Sequence, residues 1–100
     1  MAQVVLSPLA RQDLHDIWDY LAEHSLDAAD DLIEALFDAL DLLAENPGIG
    51  HWREDLASKD VKFWSVRGYM IAYLHAVVPM QVARIMRGSR DVERELTKVH

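Results

Sequence analysis

Apolar residues change their spacing twice along this chain, and each change marks a change of structure. Residues 3–6 are a short, mostly apolar run that ends at Ser7, which predicts a strand handing over directly to a helix. Ser7 suits the N-cap, and Pro8 suits the first helical position, where its missing N–H is no loss. Leu9, Leu14, Ile17, Trp18 and Leu21 then recur at helical spacing, with Asp13, Asp16, Asp19 and Glu23 in the complementary positions. This predicts an amphipathic helix ending near His24 and Ser25. Asp27 suits the N-cap of a second helix, with Ala29, Leu32, Ile33, Leu36, Phe37, Leu40 and Leu43 as its apolar stripe. That helix stops at Asn46-Pro47. The gap between the two stripes is short enough to force antiparallel neighbours, so residues 8–46 are expected to form a helical hairpin.

After a polar connection containing Gly48, Gly50, His51 and Trp52, the residues turn β-branched and aromatic. The runs 61–66, 69–78 and 81–86 are separated by turn signals at Arg67-Gly68 and around Pro79, which predicts three strands in an antiparallel meander. Asp91 suits the cap of a last short helix over residues 92–99. The fold expected is α+β: an N-terminal strand, then a helical hairpin packed on a small antiparallel sheet of three further strands, then a short C-terminal helix.

Both faces of that sheet carry apolar groups. Tyr69, Ile71, Tyr73 and His75 alternate with Met70, Ala72, Leu74 and Ala76, and simple alternation puts Ala83 and Ile85 on one face of the last strand, Val82 and Met86 on the other. One helical hairpin covers one face only. The second face is left either to the Trp52 connection and the C-terminal tail or to a partner.

Composition narrows the class. One hundred residues, 51% apolar and without cysteine, make one domain over 1–100 with no disulfide framework and no thiolate chemistry, which fits a reducing compartment. No apolar run approaches the roughly 20 residues needed to span a bilayer, and no signal peptide is expected. The net charge of −7 hides an asymmetry. Residues 1–50 hold one base, Arg11, against eleven acids, a net of −10, while residues 51–100 hold nine bases and six acids, a net of +3. The stretch 61–90 contains Lys62, Arg67, Arg84, Arg87 and Arg90 and no acid. Its basic end suits an acidic chain, a nucleic acid or an acidic protein surface.

Most catalytic chemistries find no pattern here. His15, His24, His51, His75 and His100 are far apart and lack metal-ligand spacing, so no metal or cofactor is expected. The helical acids fall on polar faces at regular spacing, as a solvated surface does. Gly48-Ile49-Gly50 is too short for a phosphate loop, and no serine sits in a nucleophile elbow. The arginines stand apart from this. Arg84, Arg87 and Arg90 lie at and after the end of the last strand, and Arg67 lies in the turn before the preceding strand. Gathered guanidinium groups bind phosphate or carboxylate, or they form salt bridges to the acidic helices. Arg90-Asp91 can also be a local pair.

The order of these elements, with Asn46-Pro47-Gly48-Ile49-Gly50 closing the second helix, Gly68-Tyr69-Met70-Ile71-Ala72-Tyr73 in the meander and Arg84-Ile85-Met86-Arg87-Gly88-Ser89-Arg90-Asp91 at its end, resembles the ParE/RelE family of toxins from bacterial toxin–antitoxin pairs. Leu6-Ser7, Ala10, Asp13-Leu14, Ile17-Trp18 and Tyr20 fall where such toxins carry their first strand and helix.

The family contains two activities. Ribosome-dependent mRNA-cleaving members place a base just after the Gly-Tyr and a tyrosine six residues after the arginine of the last turn. Met70 and Leu96 occupy those positions here, and only Arg90 matches, as the catalytic residue if the chain is a nuclease. The chain looks more like the ParE branch, whose members arrest growth by binding and inhibiting DNA gyrase without acting as enzymes. The resemblance implies a cytoplasmic toxin, no membrane association, and a ParD-like antitoxin that wraps it. Operator DNA would be reached only through that antitoxin. It further implies a target- or antitoxin-binding set of Arg67, Tyr69, Tyr73, Arg84, Met86, Arg87 and Arg90, with an acidic antitoxin tail on the basic end of the sheet. A non-toxic binding module is the remaining class.

Overall fold

The computed structural model describes residues 3–53, 55 and 60–88. β1 (Val4–Leu6) leads into α1 (Pro8–Ala22) and α2 (Leu26–Glu45). A single 3-10 turn, Pro47–Ile49, follows, and then β2 (His51–Trp52), β3 (Val61–Val66), β4 (Tyr69–Leu74) and β5 (Met80–Arg87). The sheet order is β1-β5-β4-β3-β2. β2 to β5 pair antiparallel in sequence, and β1 lies parallel to β5 with Leu6 opposite Val82. The sheet is therefore mixed and five-stranded, where the sequence predicted three antiparallel strands after the hairpin. The additional strand is β2, a pair of residues too short to show a period. The C-terminal helix expected over 92–99 lies outside the described residues.

The helix starts follow local capping chemistry. The Ser7 side chain accepts from the Ala10 N–H at 3.0 Å, with Pro8 behind it. For α2 the cap is Ser25, whose Oγ accepts from the Ala28 N–H at 3.1 Å. Asp27, expected at that position, sits instead in the first turn, where its charge favours the helix dipole. The hairpin is tied near its connecting turn by Trp18, whose indole N–H donates to Asp30 Oδ1 at 2.9 Å.

The main core lies between hairpin and sheet: Ile17, Leu32, Leu36, Leu40 and Leu43 pack with Tyr69, Ile71, Tyr73, Met80, Val82 and Ile85. Val82 and Ile85 share this side, against the simple alternation expected of the last strand. The reason is a bulge. Ala72 pairs with Arg84 but Tyr73 pairs with Val82, so Ala83 is an extra residue and the alternation of β5 shifts phase there. The opposite face carries a second cluster of Phe63, Ala72 and Met86, packed with Val61 and Met70. Phe63, Ala72 and Met86 are buried within the single chain, although no described helix lies on that face.

Candidate functional site

The bulge sits where β5 changes neighbours. β1 ends at Leu6, so beyond Val82 the outer edge of β5 has no strand beside it among the described residues. The start of α1 takes over. Ser7 donates its hydroxyl to the Ala83 carbonyl at 2.7 Å, and the Asp13 carboxylate accepts the Ile85 N–H at 2.9 Å. The same carboxylate takes Arg84 in a two-pronged pair, Nε to Oδ2 at 2.8 Å and Nη2 to Oδ1 at 2.9 Å, with both side chains nearly withdrawn from water. Arg84 thus serves as a clamp between α1 and the sheet.

Lys62 is held in a similar way at the other side of the sheet. Its Nζ donates to the Gly48 carbonyl at 2.8 Å and lies 4.7 Å above the centre of the Trp52 ring. Next to it, Tyr73 donates its hydroxyl to the Pro47 carbonyl at 2.7 Å and accepts from the Gly50 N–H at 3.0 Å. Burial pushes the Tyr73 phenol above its ordinary value of 10.0, with the Gly50 N–H opposing the shift. Asn46-Pro47-Gly48-Ile49-Gly50 is thereby pinned to β3 and β4. A side chain at Gly50 would overlap the Tyr73 phenol, so this close approach requires glycine.

The other two cations of the acid-free stretch that are described lie at the surface. Arg67 and Gly68 form the two-residue turn between β3 and β4, both with positive φ, at 48° and 85°. Arg67 is the one non-glycine residue with positive φ among those described, and its side chain is exposed. Arg87 ends β5 opposite Tyr69, exposed, with its guanidinium 5.5 Å from the centre of the Tyr20 ring. The Gly88 N–H donates to the Gly68 carbonyl at 3.0 Å, so the backbone positions of Arg67 and Arg87 lie at the same end of the sheet. Tyr20 in turn meets His24 edge-to-face at 5.8 Å.

Of the residues singled out from sequence, Arg67 and Arg87 are therefore both exposed at the same end of the sheet. Tyr69 and Tyr73 lie in the main core, Met86 in the opposite cluster, and Arg84 on Asp13. Arg90 lies outside the described residues. Tyr20 completes the basic end without having been singled out for it, because spacing along α1 carries no information about which strand end its exposed face meets. Among the described residues no three His, Asp or Glu side chains converge as a metal ion requires, and no helix is long and apolar enough to cross a membrane.

The model of the family described as "ParE toxin of type II toxin-antitoxin system, parDE" matches residues 4–92. This chain belongs to the ParE toxin family. ParE membership spans the hairpin, the clamp and the whole described sheet. A solved structure of the chromosomal ParDE TA system from P. aeruginosa aligns with a TM-score of 0.72 at 19% identity, covering 89% of this chain and 98% of that one. At that identity the likeness is one of fold. Among curated proteins none matches the chain.

Proposed function

We propose that this ParE-family chain is a growth-arresting toxin that binds and inhibits DNA gyrase through the basic end of its sheet, and that a ParD-like antitoxin neutralises it by covering that surface. The observation that carries the reading is the separation of the cations into two roles. Arg84 and Lys62 are buried against internal partners, whereas Arg67 and Arg87 are both exposed to solvent at one end of the sheet, Arg87 over the Tyr20 ring. Exposed arginines beside an aromatic ring are suited to an acidic or polar protein surface.

An inhibitor is favoured over a nuclease by Met70. It stands where cleaving members place a base, and here it packs half-buried against Phe63, Ala72 and Met86, with no proton to give or take. The test is induced expression with and without the neighbouring antitoxin frame, followed by supercoiling assays with purified gyrase. Growth arrest relieved by the antitoxin, together with relaxed plasmid or accumulated cleaved complex, is the expected result. Normal supercoiling with truncated messages on ribosomes would overturn it in favour of the nuclease, and unimpaired growth would leave only a binding module.

A further inference from the structure

Tyr20 reaches the basic end from α1, and its ring belongs to neither of the two buried clusters. It is 50% exposed, a large value for an aromatic side chain on a small domain. Two contacts flank it. His24, one turn further along the chain, meets it edge-to-face at 5.8 Å between ring centres, and the Arg87 guanidinium lies over the ring at 5.5 Å from its centre. Tyr20 also falls in the last turn of α1, which has no base of its own. The carbonyl end of a helix favours a cation, and β5 brings Arg87 to that end. Ring quadrupole and helix end thus draw the guanidinium to the same place.

The exposure of Arg87 gives this contact its meaning. A surface arginine is ordinarily spread over many rotamers, and fixing one of them when a partner binds opposes the binding. A ring that holds the guanidinium beforehand removes part of that loss. The N–H donors of a guanidinium lie in its own plane, as a fork that matches a carboxylate. Asp16, one turn before Tyr20 on α1, is the competing group, since it lines with Arg87 a hollow of about 220 Å³. Its carboxylate is engaged along its own helix, accepting from Gln12 Nε2 at 2.9 Å.

We propose that Tyr20 is a positioning residue of the target-binding surface, holding Arg87 in the orientation in which its guanidinium fork receives a carboxylate of the target. This rests on the reading of the basic end as the inhibitory surface, and it extends that surface onto α1.

The test is a double-mutant cycle in the full chain, read both as the toxin level that arrests growth and as the concentration that halves supercoiling by gyrase. A cation over an exposed ring shifts an equilibrium by about two- to fivefold. Tyr20→Leu is expected to weaken both readouts by about that factor with an unchanged circular dichroism spectrum, and Tyr20→Phe, which keeps the ring, to match the parent. In an Arg87→Ala background Tyr20→Leu is expected to have no further effect. Arg87→Lys keeps the charge but not the fork, and is expected to weaken inhibition by about fivefold or more. Asp16→Asn is expected to leave potency unchanged. Full potency of Tyr20→Leu or of Arg87→Lys, an undiminished Tyr20→Leu effect without Arg87, or Tyr20→Phe or Asp16→Asn as weak as Tyr20→Leu would each overturn the proposal. A parent that arrests growth without inhibiting gyrase would overturn the gyrase reading alone, and the cycle in growth arrest would then decide the role of Tyr20. A parent that leaves growth unimpaired would overturn both.

Discussion

Arg84 grips Asp13 with two hydrogen bonds, and the same carboxylate caps the Ile85 N–H on the strand edge that β1 leaves uncovered. The aspartate therefore completes a sheet edge and neutralises a buried guanidinium at once. Removing one partner of a nearly buried pair is far more costly than replacing both. Asp13→Ala is expected to lower stability by about 3–5 kcal/mol, and Asp13→Leu combined with Arg84→Met to recover much of that loss. Urea unfolding of the three proteins decides it, and an Asp13→Ala midpoint equal to the parent's would exclude the clamp.

Gly50 and Tyr73 give a steric counterpart. An alanine Cβ at position 50 would meet the Tyr73 ring carbons at 2.8 and 2.9 Å, and the phenol oxygen more closely still. The ring is buried and cannot swing away. Gly50→Ala is expected to cost about 1–3 kcal/mol, and less in a Tyr73→Phe background, where the nearest atom is gone. Equal costs in both backgrounds, read from thermal melts, would show that the loop is not pressed against Tyr73.

Tyr73 also predicts a pH dependence. Its folded pKa lies above its ordinary value of 10.0, so the native state holds the phenolic proton more tightly than the unfolded chain does. The resulting stabilisation is fully present below the unfolded pKa and is lost as pH rises above it through the folded value. Between about pH 9 and 11, stability is expected to fall more steeply for the parent than for Tyr73→Phe, which lacks the titrating group. Parallel pH profiles of the urea midpoint would contradict this. At neutral pH, Tyr73→Phe should cost about 1–2 kcal/mol for the lost bonds to Pro47 and Gly50.

Arg67 sits in the left-handed region, where asparagine or glycine is more comfortable. Arg67→Asn is expected to raise stability by about 0.5–1 kcal/mol while weakening gyrase inhibition. A variant that is more stable and equally inhibitory would remove Arg67 from the target surface.

Arg87→Ala removes an exposed guanidinium from the Tyr20 ring and should change stability by no more than about 1 kcal/mol. Toxicity is nevertheless expected to fall, and to fall further with Arg67→Ala. Growth arrest unaffected by the double substitution, with the protein folded, would place the inhibitory surface elsewhere.

The sequence by itself determined the elements whose cause is local. The period of apolar residues set α1, α2 and β3 to β5, Ser7-Pro8 set the entry to α1, and Arg67-Gly68 set the turn, because helix faces, caps and turn conformations depend on residues within a few positions of each other. It also placed the bases together in the second half of the chain. Only the tertiary structure decided what each base does. The Ala83 bulge rephased β5, the early end of β1 opened an edge for Asp13 to fill, and the 3-10 turn met Lys62 and Tyr73. These are encounters between residues up to 72 positions apart, and no periodicity records them. The acid-free stretch that first read as one basic cluster is two: Lys62 and Arg84, which hold the fold, and Arg67 and Arg87, which face outward.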